Sequence, residues 1–296
     1  MEALLRAIDA ALAEVAEAGE KAPRLKLPPL RPARFLRREN RFVVIAEDEA
    51  SGVLFRAHLG DPGRLETVLV PGGRVWVAVR HPSVAGGSPA REERRAGSSG
   101  EEAPGKEAGF PAPSGASAPG RSVGPRTTHR AVLAEPEPGR FVAVVPTLAE
   151  RVIEAVLRSA ILSVPGAVLR RQARWKRHRF DFRLDAPEAP PLWIEVKAVT
   201  LRDGALGRFP DAVTERGRRH LAALQERAAS GEAGVLWFVA LRGDVAGVAP
   251  AEAIDPAFAA ELRAAARSGV FIRAIGTRPS PEAVALAGAL PVLLEG

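Results

Sequence analysis

The sequence predicts two folded parts in series, a small antiparallel β-barrel followed by a mixed α/β domain. Three observations carry that prediction. Short apolar runs alternate with turn signals between residues 42 and 79 and again between 131 and 145. Beyond Pro146 the texture changes to amphipathic helices alternating with strands. Between the two sets of short runs, a stretch at about 82–128 is rich in Gly, Pro, Ser, Ala and charge, with few large apolar residues.

The first element is a helix. Leu4, Leu5, Ile8, Leu12 and Val15 recur at helical spacing, and the expected role is packing against a neighbouring domain. The following APRLKLPPLRPAR is Pro-rich and basic and reads as a tether, so residues 1–30 form a helix and linker. From 31 to 145 the expected strands are FVVIA (42–46), VLFRAHL (53–59), TVLV (67–70), VWVAV (75–79), AVLA (131–134) and FVAVV (141–145). The turn residues Gly60 to Gly63 and Pro71 to Gly73 punctuate them. Short strands at this spacing suggest a barrel of the OB-fold kind. The 82–128 stretch cannot bury enough surface to offset its ordering entropy, and it reads as a disordered insertion in a barrel loop.

Residues 146–296 read as the α/β domain. A helix is expected over 148–162, strands around 166–174, 179–184 and 192–199, and a helix from about Asp211 to Ala229. VLWFVAL (235–241) is a continuous apolar run, as in a strand buried on both faces. A helix near 256–267, a strand at 271–275 and a short terminal helix complete a mixed sheet with helices packed on it.

Composition narrows the chemistry. The chain has 296 residues, no cysteine and a formal net charge of +7. Without cysteine there are no disulfides, no thiolate-held zinc and no thiol nucleophile. Any metal would sit on carboxylates, carbonyls or histidines, which suit magnesium or manganese. The positive balance favours a polyanionic partner. The N-terminus carries acids through its apolar stretch, unlike a signal peptide, and no apolar run is long enough to cross a bilayer. A cytoplasmic location and no membrane partner are therefore expected.

Two segments concentrate the chemistry, RFDFRL (179–184) and WIEVKAVTL (193–201). By strand alternation Phe180 and Phe182 share a face, with Asp181 on the other. Trp193, Glu195, Lys197 and Val199 share one face, opposite Ile194, Val196 and Ala198. A hairpin centred on Glu188 would set Leu184 against Leu192 and Asp181 against Glu195, about 5 Å apart at Cβ. Two carboxylates and an ammonium on one patch suit phosphodiester hydrolysis. The acids can hold Mg2+ or Mn2+, and Lys197 can orient water or neutralise developing charge. That is the logic of the PD-(D/E)xK nuclease core. The bland alternative is an exposed sheet face on which Glu alternates with Lys.

The run IEVKAVTLRDGALGRFPDAVTERGRRHL (194–221) resembles the sugar fermentation stimulation protein family. The likeness continues through LRRQARWKRHRFDF, GVLWFVAL and FIRAIG, and more loosely through AHLGDPGRLETVLVPGGRVWV (57–77) and FVAVVPTLAERVI (141–153). It implies an OB-like domain followed by a PD-(D/E)xK, restriction-endonuclease-like α/β domain, with DNA binding. It also implies a link to sugar (maltose) use. Asp181, Glu195 and Lys197 fall on the implied catalytic core. Members commonly carry Glu where Gln172 stands, so Gln172 is a third expected metal ligand, one without charge. The family's Asn-Thr-Gly turn is here Asp61, Pro62 and Gly63, and a second Asn-Thr pair is Pro146 and Thr147.

Basic residues gather in three places. Arg24, Lys26, Arg31, Arg34, Arg37, Arg38 and Arg41 lead into the barrel; Arg170, Arg171, Arg174, Lys176, Arg177 and Arg179 precede the Asp181 strand; Arg216, Arg218 and Arg219 follow the ExK strand. From these, Arg37, Arg38, Arg41, Arg171, Arg174, Lys176, Arg179, Arg216 and Arg218, with Arg64 near the barrel turn, are the expected phosphate contacts. Trp175 could stack on bases. Asp211 reads equally well as a helix cap. The five histidines show no ligand spacing. A Mg2+-dependent nuclease and a non-catalytic DNA-binding regulator both fit. Strandedness is open, and so is assembly as a homodimer.

Overall fold

Leu4, Ile8, Ala11, Leu12 and Val15 form one buried stripe along α1 (Glu2–Ala18). In the computed structural model, which describes residues 1–80 and 126–295, that stripe joins the largest hydrophobic core. The basic segment after it is not a free tether. Arg24–Lys26 forms β1, an edge strand whose backbone pairs with the last strand of the chain.

Six strands follow: β2 (Arg31–Asn40), β3 (Val43–Asp48), β4 (Leu54–His58), β5 (Arg74–Val79), β6 (Thr127–Glu137) and β7 (Arg140–Ala143). Their order is β4-β3-β2-β5-β6-β7, and a parallel β4–β6 pairing closes five of them into a barrel of the OB type. Ala33, Phe35, Val44, Ala46, Phe55, Ala57, Val75, Val77, Ala131 and Ala134 fill it. The expected strand set omits β2, because RPARFLRREN sends only Ala33 and Phe35 fully inward and is otherwise charged. Conversely, 67–70 is a turn. The N–H groups of Val68 and Leu69 donate to Leu65 O at 3.0 and 2.8 Å, and the two side chains plug the barrel. The expected insertion at 82–128 lies, as far as residue 125, outside the described residues.

The second part begins with α2 (Thr147–Leu162), then β8 (Val168–Trp175), β9 (His178–Ala186) and β10 (Ala189–Val199). Short β11 (Leu201–Asp203) and β12 (Leu206–Phe209) precede α3 (Glu215–Ala229). After these come β13 (Ala233–Ala240), β14 (Gly247–Pro250), α4 (Pro256–Arg267), β15 (Phe271–Pro279) and β16 (Ala283–Leu290). The main sheet has the order β1-β16-β15-β13-β10-β9-β8, with β10, β13 and β15 parallel at its centre. β16 occupies the segment expected as a terminal helix. AVALAGAL is Ala- and Leu-rich, yet pairing on both sides, with β15 and β1, decides its state over local propensity.

The central sheet separates two cores. On one face Phe182, Ile194, Val196, Trp237 and Ile275 meet α1 and α2, together with Val132, Leu133, Ala143 and Val145 of the barrel wall and its exit. On the other, Phe180, Trp193, Val199, Leu236 and Phe238 meet Leu221 and Leu224 of α3 and Phe258 and Leu262 of α4. The barrel is therefore packed onto the sheet through α2's core, and Ala143 N donates to Leu241 O at 2.8 Å across the junction. Asp255 joins the two helices of the far face. Its Oδ1 caps α4 by accepting from Phe258 N at 2.9 Å, while Oδ2 accepts from Thr214 N at 2.8 Å at the start of α3. Thr214, not Asp211, caps α3, with its Oγ1 accepting from Gly217 N at 3.1 Å. Among the described residues, no helix is long and apolar enough to cross a membrane.

Because α1 is built into the sheet's core, its removal or erosion should destabilise the whole α/β part. Ile8 is 1 % exposed, and Ile8→Ala is expected to lower stability by roughly 2–5 kcal/mol in urea unfolding. A loss under about 0.5 kcal/mol would mean that the helix is only peripherally attached.

Candidate active site and basic groove

β9 and β10 form the predicted hairpin, with Leu184 opposite Leu192 and Phe182 opposite Ile194. The turn itself is Pro187–Glu188 between paired Ala186 and Ala189, and a bulge between Ala189 and Leu192 restores the expected register. Glu188 has a φ of 56°, the left-handed conformation that follows proline in a type II turn. One further step along this register sets Asp181 beside Glu195.

The two phenylalanines flanking Asp181 do not share a core. Phe182 enters the α2 side and Phe180 the α3 side. Leu169 and Ala173 on β8 divide in the same way. The hairpin thus changes face at Asp181 and at Gln172, the residue across from it, whose φ is 51°. Simple alternation cannot foresee such a switch, because it assumes an untwisted strand. At the switch, Asp181 Oδ2 turns to accept from Val196 N at 2.8 Å.

Glu195 is 3 % exposed on β10, an interior strand of the sheet between β13 and β9. Its Oε1 accepts from Lys197 Nζ at 2.5 Å and also pairs with His220 Nδ1 from α3. Its Oε2 is buried without a hydrogen-bond partner. Burial works to raise the proton affinity of this carboxyl, but Lys197 and His220 together hold it below the ordinary carboxylate range. Asp181 goes the other way. Burial first, and then the negative Glu195, push it up to about 7 against the Val196 N–H and Lys197.

Two members of this cluster escaped the sequence reading. Glu150, in the first turn of α2, is pushed up by burial, with Glu195 adding to the effect and Arg171 opposing it. Gln172 Nε2 donates to Glu150 Oε2 at 3.4 Å, so the expected ligand faces an acid of its own. His220 was visible in principle. With Gly217, Leu221 and Leu224 it lies on the buried stripe of α3, where a titratable side chain needs a partner. Glu150 borders the buried Leu148, Ala149, Val152 and Ile153 stripe of α2 in the same manner.

A hard divalent cation fits this donor set. Glu195 offers an orphaned buried oxygen, Asp181 has an elevated proton affinity that a cation would relieve, and every donor is oxygen. Among the described residues no ready group of three His, Asp or Glu ligands is assembled. Such a cation would therefore rely on Asp181 and Glu195 with water or a phosphate oxygen, a habit typical of magnesium.

The expected basic residues fall into separate places. A groove of about 690 Å3 is lined by Arg174, Lys176, Arg177, His178 and Arg179 from β8 and β9 and by Arg216, Arg219 and His220 from α3, with no acid among them. Lys176 is held by Glu226 at 2.9 Å. Its Nζ lies 4.4 Å from the Trp175 ring centre and the Arg227 guanidinium 3.8 Å from it, so two cations already occupy this aromatic. Arg171 pairs with Glu154 at 3.1 Å, outside the groove. Arg37 and Arg64 are exposed on the barrel, and Arg218 is half-buried on α3.

Arg41 lies instead in a second cleft of about 400 Å3 that Lys197 and Arg216 also line. Arg38 is taken up by the barrel. It donates to the carbonyls of Asn40, Arg41, Asp61, Gly63 and Arg64, at 2.5 to 3.3 Å. Asp211 packs against this same loop. A Cβ on Gly63 would lie 2.0 Å from Asp211 Oδ2, so glycine permits the approach. Burial pushes Asp61 up to about 6, aided by Asp211 and opposed by the Gly63 N–H and by Arg38.

Asp181 gives a test without a metal. Its folded value of about 7 exceeds the unfolded value near 3.9, so the folded state keeps a proton that the unfolded chain releases. Stability from this group is full below the unfolded value and falls as pH rises through the folded one. With chelator present, Asp181→Asn should be more stable than wild type by roughly 2–4 kcal/mol at pH 8, with the gap narrowing towards pH 4. Denaturant titrations showing a gap independent of pH would contradict this.

Comparison with known proteins agrees with this architecture. The family model described as "Sugar fermentation stimulation protein RE domain" matches residues 147–283, and "SfsA N-terminal OB domain" matches 36–87. Relatives named sugar fermentation stimulation protein homolog include one from Moorella thermoacetica, 33 % identical over 88 % of this chain and 96 % of its own. Another, from Geobacter metallireducens, is 31 % identical over 91 % of this chain and all of its own length. A third, from Symbiobacterium thermophilum, is 34 % identical over 88 % and 94 %. The solved structure of Pyrococcus furiosus SfsA in complex with Ca2+ shares the fold, with a TM-score of 0.69 and 22 % identity over 91 % of this chain and 98 % of that one. On sequence, domain order and fold, this chain belongs to the sugar fermentation stimulation protein family.

Proposed function

We propose that this chain binds DNA along the basic groove and hydrolyses a phosphodiester at the Asp181, Glu195 and Lys197 centre. One observation carries the reading. A groove lined by eight basic or histidine side chains includes His220, whose ring is bonded to Glu195. Arg174, Arg177, Arg179, Arg216 and Arg219 form no ion pair with another described residue, so they are available to phosphate. The acidic cluster stands at the end of this cationic path. That arrangement suits a polyanion whose backbone is held by cations while one phosphate meets the carboxylates.

Each residue of the centre has a task. Asp181 and Glu195 would hold Mg2+ or Mn2+, through the orphaned Glu195 Oε2 and the Asp181 carboxylate. When bound, such a cation polarises the phosphodiester and lowers the pKa of a bound water. Lys197 and His220 both engage Glu195 Oε1 and so leave Oε2 for the cation. Lys197 also places an ammonium where negative charge develops on a phosphoryl oxygen. The Ca2+ of the Pyrococcus protein is a property of that protein; here the all-oxygen donor set favours the same class of hard cation.

A second reading, a DNA-binding regulator of sugar (maltose) genes without catalysis, draws on Gln172. An amide there, already bonded to Glu150, supplies no ligand charge. Cleavage decides between them. Wild type with Mn2+ should cut labelled DNA, and Lys197→Ala should still bind it while cutting at least a hundredfold more slowly. Binding by both without cleavage by either would leave the regulator. Affinity should also fall steeply, on the order of 10³-fold between 50 and 200 mM salt for six or more phosphate contacts. A flat salt response would remove the groove from the binding site.

A further inference from the structure

We infer that the cleft containing Lys197 seats one unpaired nucleotide, so that the DNA form engaged at the reacting centre is single-stranded. The inference rests on the DNA-binding reading above and specifies the form of the substrate.

The cleft has a volume of about 400 Å3, the size of a site for one small ligand rather than for a helix. Its two walls come from different parts of the fold. One is the barrel turn Asp61–Pro62–Gly63, and the other is the segment from Phe209 to Arg216 that leads into α3. Both walls are fixed. Arg38 grips the carbonyls of Asp61, Gly63 and Arg64, and the Asp211 carboxylate lies against Gly63. The Lys197 side chain, 15 % exposed, lies at the foot. A duplex keeps its strands apart across a major groove about 12 Å wide, and it cannot follow a phosphate into a fixed cleft of this volume. A single strand can, because its bases swing free of a partner.

The chemistry of the lining is divided in the same way. Arg41, Lys197, Arg208 and Arg216 bring cationic groups; Arg208 pairs with Asp203 at 3.1 Å, while Arg41 and Arg216 form no ion pair with another described residue. Val213 is 66 % exposed, a large apolar side chain left in solvent beside them. Pro62 and Pro210 add further apolar surface. Asp61 and Asp211 also line the cleft and repel phosphate, which confines the backbone to the cationic positions of Arg41, Lys197 and Arg216 and leaves Val213 to the base. Arg216 lines both the groove and the cleft, so a strand held in the groove passes from one to the other over a single residue. The base would meet the aliphatic surface of Val213, Pro62 and Pro210 and the half-buried Phe209 ring, surfaces that accept any base, so little base preference is expected.

The test measures binding by fluorescence anisotropy at fixed salt. The probes are a labelled single strand, the blunt duplex of the same sequence and that duplex with a single-stranded overhang, for wild type, Val213→Glu and Arg41→Ala. Wild type should bind the single strand and the overhang at least tenfold more tightly than the blunt duplex. Both variants should lose most of that preference, with melting temperatures near wild type because both side chains are exposed. Equal affinity of wild type for all three probes, or an unchanged preference in both variants, would overturn the single-strand assignment and leave DNA binding standing. No binding to any probe would overturn the DNA-binding reading, and the cleft assignment with it.

Discussion

A carboxylate in the middle of a sheet has to be compensated, and the architecture of the second half follows from how Glu195 is compensated. Its neighbours in sequence, Ile194 and Val196, go to one core, while Trp193 and Val199 go to the other. Glu195 itself takes the side of α3. There its carboxylate requires side-chain donors, and His220 on α3 and Lys197 two residues along β10 provide them. Removing either partner would leave a buried negative charge exposed to its desolvation penalty. The placement of α3 is thus tied to the same atoms that make the cluster chemically interesting. The helix start is tied down independently by Asp255, which serves α3 and α4 together.

The barrel is bound to this arrangement at two levels. Apolar contacts from Val132, Leu133, Ala143 and Val145 merge its outer wall with the α2 core. Polar contacts then set the position of one turn. Arg38 converts five carbonyls into a fixed loop, and Asp211 reaches across to Gly63. A residue drawn from the basic cluster thereby serves shape, while its neighbour Arg41 lines the cleft. Net charge of +7 says nothing about which arginine does which. That distinction depends on burial and partners.

Much of the fold was legible because it rests on local pattern. The stripe of α1, the apolar run of β13 and the helix of α2 all follow from spacing alone. The Asp181, Glu195 and Lys197 constellation was legible because a hairpin converts sequence offset into distance. What stayed hidden depended on partners distant in the chain. β2 has too few inward apolar residues to declare itself, and β16 is a strand only because β15 and β1 flank it. Glu150 and His220 join the site through helix packing, which no spacing rule reports. The separation of Phe180 from Phe182 depends on a local twist at Gln172.

That twist has a consequence for how the acidic cluster stands when no counter-ion is near. Burial and the negative Glu195 already raise the proton affinity of Glu150 and Asp181, and a fourth acid at 172 would face Glu150 with no donor between them. The amide of Gln172 supplies such a donor from a backbone position that strains ordinary side chains. The chain has in effect a built-in neutral spacer at the point where its acids converge. The folded state therefore has one carboxylate fewer to hold together where Glu150, Asp181 and Glu195 meet.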